Sequence, residues 1–300
     1  MSSAKFSRKD AFSRNLGLIS EQEQEVLANS LVVIAGCGGV GGMHVHTLAR
    51  LGIGRYRVAD FDTFSVGNFN RQMGANMATV DRDKAEVTAE MILSINPEAE
   101  VEVYKDGLQP DNADDFVAGA KVVIDGIDFF ALPARRLLFK AAEKAAIPAL
   151  TAAPLGFSGT LHTFMPGAMS FAEYFQIHDG QPAFDSFVNF LLGLAPAGLH
   201  VPYMDLSKVD PSNGRGPSSV IGSQLAACLV GVETLRILLN RGDIHPAPWY
   251  RQVDLYRAKF KLKKLSGGNN NWLQKRKRKL LVSHLTRLGL DKAFAELDNK

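Results

Sequence analysis

The sequence predicts an α/β protein with a doubly wound, mostly parallel sheet extended by C-terminal antiparallel strands. Three observations carry that expectation. Short apolar runs alternate with longer helical periods through the first half, a glycine-rich loop joins the first such run to the first helix, and period-two alternation dominates only near residues 159–164 and 252–263. Three hundred residues, 46% hydrophobic and 22% charged, are enough for one large core and exclude a disordered, collagen-like or fibrous chain.

Taken in order, Leu31–Ala35, Tyr56–Asp60, Val101–Lys105 and Lys121–Asp125 read as strands. Between them Gly41–Leu51, Lys84–Ile95 and Asp111–Val117 read as helices, followed by Leu132–Ala146, which stops before Pro148. Gly159–Phe164 alternates as a strand, and Gln252–Lys263 alternates well enough for two strands or one hairpin. Residues 166–217 are rich in glycine, proline and aromatics without a long period, which predicts an irregular segment facing the substrate. Ser218–Leu239 reads as a buried apolar helix; Glu233 and Arg236 interrupt it, and no other run reaches the roughly 18 residues of a membrane span. Ser266–Asn271 (SGGNNN) reads as a flexible linker, followed by the basic run Lys275–Lys279 and a short amphipathic helix near Ser283–Leu297.

Two cysteines, Cys37 and Cys228, exclude a disulfide framework and a four-thiolate zinc site within one chain. Both read as small buried hydrophobes. With no apolar segment behind Met1–Arg8, a secretory signal is not expected, and the expected location is cytoplasmic. The net charge of +3 hides an asymmetry, because residues 261–300 hold 11 Lys or Arg against 3 Asp or Glu. Such a tail is either a solvated face or a dock for nucleic acid, an acidic partner or an anionic surface.

The loop Gly36-Cys37-Gly38-Gly39-Val40-Gly41 lies where a strand ends and a helix begins. Unpaired N–H groups at a helix N-terminus attract an anion, and glycines at Gly36, Gly38, Gly39 and Gly41 let a phosphate approach the backbone. Nineteen residues past Gly41, Asp60 ends the second strand where a carboxylate can accept from ribose hydroxyls. A nucleotide site on a Rossmann-like sheet is the expectation, although NAD-dependent oxidoreductases share this fingerprint.

Beyond Asp60 lies a polar set that a dehydrogenase does not need: Asp62, Asn68, Asn70, Arg71, Gln72 and Lys84. All follow the carboxyl end of the second strand, the edge where open α/β sheets bind ligands. Two cations with several amides suit a triphosphate better than a nicotinamide. The fourth strand ends in Asp125-Gly126-Ile127-Asp128 and brings Asp128 to the same edge, where a carboxylate can hold magnesium together with phosphate oxygens.

These pieces resemble the ThiF/MoeB/HesA adenylyltransferases, the superfamily that includes the ubiquitin-activating enzymes. The resemblance rests on Gly36–Gly41, Asp60-Phe61-Asp62, Asn68–Gln72, Lys84, Ile95-Asn96-Pro97, the Asp125/Asp128 strand end, Phe12-Ser13-Arg14-Asn15 and the helix opening Ile221-Gly222-Ser223. It covers roughly residues 10–165 and 218–240. It implies an adenylation domain over residues 1–265, with a nucleotide-binding half near 10–150, a substrate-facing half near 151–265, and residues 266–300 as a tail. It further implies ATP held by the glycine loop and Asp60, phosphates held by Asn68, Arg71, Gln72 and Lys84, magnesium on Asp128, and Arg14 acting in trans across a homodimer. Catalysis then falls to Arg14, Arg71, Lys84 and Asp128. The reaction implied is attack by a substrate carboxylate on the α-phosphorus of ATP.

The chain departs from the family pattern in lacking the Cys-x-x-Cys pairs of a structural zinc site and a cysteine in the crossover segment. Phe129 stands where asparagine usually follows the aspartate. The expected product is therefore an acyl-adenylate with no thioester step, formed on a carrier protein, a peptide or a small acid. An NAD-dependent oxidoreductase and a nucleotide-binding family member without turnover are the alternatives. His44, His46 and His162 read as structural.

Overall fold

The computed structural model describes residues 5–210 and 214–298; residues 1–4, 211–213 and 299–300 lie outside the described residues. The chain enters through α1 (Arg8–Ala11) and α2 (Glu21–Asn29). Helix α2 starts cleanly because Ser20 and Glu23 form a reciprocal capping box that satisfies two free N–H groups. There follow β1 (Leu31–Ala35), α3 (Gly39–Arg50), β2 (Arg55–Ala59), α4 (Lys84–Ile95), β3 (Glu100–Tyr104), α5 (Ala113–Val117), β4 (Val122–Asp125), α6 (Leu132–Lys144) and β5 (Ala149–Thr151). The second half adds β6 (Pro154–Leu155), β7 (Ser158–Phe164), α7 (Phe171–Phe175), α8 (Ala183–Leu194), α9 (Val220–Leu238), β8 (Trp249–Asp254), β9 (Lys259–Lys264), α10 (Trp272–Arg287) and α11 (Leu290–Asp298).

The strands form one sheet in the order β3-β2-β1-β4-β5-β7-β8-β9, with β6 paired to β7. Pairing is parallel from β3 to β5 and antiparallel from β5 to β9, as the sequence predicts. Register decides where chemistry can occur. Ala35 pairs with Ala59 and Asp125, Ala59 with Tyr104, and Asp125 with Thr151, so these residues form one row at the carboxyl edge. Whatever binds beyond that row meets the ends of several strands at once.

Two apolar clusters cover the two faces. One gathers Leu48, Val45, Ile92, Tyr56, Ala226 and Val230 under α3, α4 and α9. The other packs Phe116, Leu138, Phe139, Phe171, Phe187 and Phe190 from α5 to α8, together with Leu285, Leu290 and Phe294 of the tail.

Four readings of the sequence need correction. The segment 166–217 is not wholly irregular, because 183–194 is a helix; AFDSFVNFLLGL is apolar nearly all round and so shows no amphipathic period. Residues 266–271 are not a flexible linker. They hold a turn of 3₁₀ helix in which the buried Asn269 amide donates to the carbonyls of Phe175 and Asn189. The basic run is itself helical within α10, and the expected short helix is two, separated where Gly289 takes φ +76°. Finally, Cys228 is exposed, since it lies off the buried arc of α9 that runs through Ala226, Ala227, Val230, Gly231, Glu233 and Thr234.

Helix α9 is long and apolar enough to cross a membrane by length and composition. In this fold it packs against α3 and β7, and its Glu233 lies buried between Thr163, Arg236 and Arg251.

Burial also sets an acid limit. His44 and His162 are fully buried, which pushes their imidazoles down to about 3, and burial pushes His200 to about 4. The unfolded chain takes up these protons near pH 6.5 while the folded chain does not. Stability is therefore complete above about pH 6.5 and is lost as pH falls toward 3–4, by on the order of 2 kcal/mol per histidine at pH 5. Both ring nitrogens of His44 lack a partner, so His44→Leu removes no hydrogen bond. The expected result is a urea midpoint that drops from pH 7 to pH 5, with a smaller drop in His44→Leu. Equal drops in parent and variant would show that His44 does not contribute.

Candidate active site

The glycine loop is built by close backbone contact. Gly36 has φ +92°, and a Cβ there would sit 2.2 Å from the Gly126 carbonyl oxygen. At Gly41 a Cβ would sit 1.8 Å from the Gly36 carbonyl oxygen. These two glycines let β1, β4 and α3 converge; Gly38 caps α3, and Gly38 and Gly39 face the open side.

Asp60 fastens the loop from below. Its carboxylate accepts from the Cys37 N–H at 2.6 Å and from the Asp62 N–H at 2.9 Å. Burial raises its pKa, against which the two amides and Lys84 act. Cys37 is buried 23 residues away in sequence, and burial pushes its thiol up, so it serves packing rather than nucleophilic attack.

A cleft of about 290 Å³ opens over the row of strand ends. Its polar end is lined by Gly38, Gly39, Asp60, Asp62, Arg71, Gln72, Lys84 and Asp128, joined by Gly36. Lys84 begins α4, is 6% exposed, and holds the half-exposed Asp62 carboxylate at 2.9 Å. Arg71 donates to the Gly67 carbonyl and to Asn70 Oδ1. Asp128 accepts the Phe130 N–H through one oxygen and is exposed to the cleft.

Not every expected residue lines the cleft. Gly41 serves close packing, Asn68 caps the turn that begins at Ser65, and Asn70 donates to the Ser218 carbonyl while steering Arg71. Arg14 is exposed on a 3₁₀ turn and lies outside this chain's own cleft.

Other residues at the cleft escaped sequence reading. Arg135 of α6 is 3% exposed and ion-paired at 2.7 Å to Asp125, which also accepts from Thr151. The same guanidinium reaches the carbonyls of Ile127 and Phe129 and lies over the Phe190 ring. It thereby fixes the turn that carries Asp128. Ser223 at the start of α9 lies opposite Gly39, and Phe129, Phe130, Phe187, Phe190, Leu285 and Leu290 form an apolar extension. A buried arginine in the first turn of a helix, seven residues past Asp128, carries no pattern of its own, whereas the Asp125 side of the pair was visible as a strand-end carboxylate.

The residues present fit a nucleotide. Gln72 is 8% exposed and its Oε1 has no hydrogen-bond partner, and Gly38 and Gly39 at the start of α3 leave the helix N-terminus open to the cleft with no side chain in the way. Residues 12–273 match the ThiF family. The chain belongs to the ThiF family.

Among relatives of this ThiF-family chain, the Mycobacterium tuberculosis probable adenylyltransferase/sulfurtransferase MoeZ is 29% identical over 226 residues, covering 73% of this chain and 50% of that protein. The Escherichia coli tRNA threonylcarbamoyladenosine dehydratase is 40% identical over 124 residues, 40% of this chain and 46% of that protein. The chain thus spans about half the length of the curated relatives it matches. In fold, the ThiF-family chain is similar to E. coli MccB with ATP, with a TM-score of 0.64 at 19% identity over 88% of this chain and 72% of that one.

Proposed function

We propose that this chain is an ATP-dependent adenylyltransferase that activates a carboxylate as an acyl-adenylate, without a cysteine thioester step. The acceptor is the C-terminus of a ubiquitin-like or sulfur-carrier protein, a peptide or a small acid. One observation carries the reading: Arg71, Gln72, Lys84 and Asp128 line the same cleft as the glycine loop, a set suited to phosphates and superfluous for hydride transfer. The adenylyltransferase named among its relatives supports it.

In the reaction, a carboxylate oxygen of the acceptor bonds to the α-phosphorus, and the bond from that phosphorus to the bridging oxygen breaks. The electron pair leaves with pyrophosphate. Negative charge grows on phosphate oxygens, so Arg71 and Lys84 act by position and charge, and no side chain needs to transfer a proton. Asp128 would hold magnesium, which neutralises phosphate charge when bound. Lys84 gives up part of its pairing with Asp62 when a phosphate arrives. Cys228 lies outside the cleft, consistent with an adenylate that is not passed to this thiol.

A homodimer in a cytoplasmic setting belongs to the same proposal. Arg14 lies outside its own cleft, and Ile221 of α9 stays exposed beside the apolar Phe157, Leu255 and Tyr256. A second copy is the occupant proposed for that face. Calorimetric titration tests the nucleotide reading: Mg-ATP is expected to bind with NAD silent. NAD binding with ATP silent would return the site to the oxidoreductases.

A further inference from the structure

The charge asymmetry of the sequence becomes a surface in the fold. Residues 255–290 contain 11 Lys or Arg and no Asp or Glu, leaving the rest of the chain with 23 basic against 31 acidic residues. This stretch forms the edge strand β9 and the helix α10. The family match ends at residue 273, so α10 lies almost wholly beyond the matched residues.

Both elements flank one segment on the same side of the sheet. Lys277 donates to the Pro196 carbonyl and Gln274 to that of Leu192. On β8, Gln252 reaches His200 and Asp254 accepts from Tyr203, and these are the cross-strand partners of Lys261 and Lys259. Antiparallel partners share a face, so Lys259, Lys261 and Lys263 stand on the side where α10 packs. Lys275 and Lys279 lie on the exposed part of α10. Among the described residues none of these five lysines makes an ion pair, whereas Arg278 is spent on Asp185.

The arrangement selects among polyanions. Lysines two apart on a strand project from one face about 6.8 Å apart, a regular row that a phosphodiester backbone meets with a charge at every nucleotide. A carboxylate surface must instead place each acid in register. An aromatic platform stands at the start of α10: Trp272 is 60% exposed with Arg276 over its ring at 4.9 Å, whereas Phe260 faces the other side of the strand from the lysines. Cations interleaved with exposed rings are how single strands are held, with phosphates neutralised and bases stacked.

We propose that the strip formed by β9 and the outward face of α10 binds the phosphate backbone of a single-stranded nucleic acid, with Trp272 as a stacking platform. It stands independently of the adenylation reading, since none of these side chains lines the cleft.

The test is fluorescence anisotropy of the full chain with a fluorescein-labelled single-stranded RNA about 20 nucleotides long, titrated across salt concentrations. Six neutralised phosphates give a slope of log affinity against log salt of about −4. The triple variants Lys259→Glu/Lys261→Glu/Lys263→Glu and Lys275→Glu/Arg276→Glu/Lys279→Glu are each expected to halve that slope and weaken binding about tenfold or more. Trp272→Ala is expected to weaken binding about tenfold and leave the slope intact. Because the triples sit on different elements, a folding defect in one leaves the other as the test, and Lys140→Glu on α6 controls for net charge. Three outcomes overturn the proposal: a slope unchanged in both triples, polyglutamate competing as well as unlabelled RNA at equal charge, or capture by phosphatidylserine vesicles with flat RNA anisotropy.

Discussion

Arg71→Ala is expected to lower ATP–pyrophosphate exchange by about 10²- to 10³-fold, because it removes one of two cations facing the phosphates in a partly closed cleft. The turn around Arg71 is held by main-chain bonds from Arg71 and Gln72 to the Asn68 carbonyl, so the loss should be chemical rather than structural. Exchange at the parental rate with the same acceptor would remove Arg71 from the site. The same variant examines the dimer. Arg71→Ala and Arg14→Ala, each defective alone, are expected to recover about a quarter of parental exchange when mixed and refolded together, since half the dimers are mixed and one of their two sites is intact. No recovery would place Arg14 outside the reaction or the dimer outside the mechanism.

The largest stability effect is expected from Arg135→Met. Asp125 and Arg135 are 2% and 3% exposed, and the substitution strands a carboxylate in the interior with only Thr151 and the Ile127 amide as partners. Breaking a buried pair from one side costs about 3–5 kcal/mol, whereas replacing both partners with apolar groups is often near neutral. Urea denaturation should therefore show a large loss in Arg135→Met and partial recovery in Asp125→Leu/Arg135→Met. A loss below about 1 kcal/mol would mean that the pair is worth no more than a surface bridge. Because Arg135 also holds the Ile127 and Phe129 carbonyls, exchange should stay impaired in the double variant even where stability returns.

What was legible in the sequence follows from what leaves a local signature. Leu31–Ala35 and Lys84–Ile95 are bounded as read, because a loop of glycines and a run of turn residues stop each one. The nucleotide end was legible for the same reason, since backbone approach demands glycine at Gly36 and Gly41 whatever the rest of the chain does. The tail was not. Gly268 and Asn269 have a linker's composition, yet Gly268 is needed because a Cβ there would lie 2.4 Å from the Tyr174 carbonyl oxygen. Composition reports flexibility only where nothing distant comes to claim the backbone. Arg135 escaped for a related reason: a buried ion pair depends on two elements meeting, and neither strand nor helix records its partner.

The stacked rings of Phe130 and Phe187, with Phe294 of α11 a further 4.7 Å from Phe187, give the cleft and the tail one shared wall. Mixed anhydrides are short-lived in water, and an active site that makes one must also shelter it. Leu285 of α10 and Leu290 of α11 complete the side of the cleft away from the glycine loop, so an activated acyl group formed there, as proposed, would be walled from water partly by the tail. On the proposed reaction the tail would act as a seal as much as a surface, and shielding from water would depend on the packing of Phe294 against Phe187.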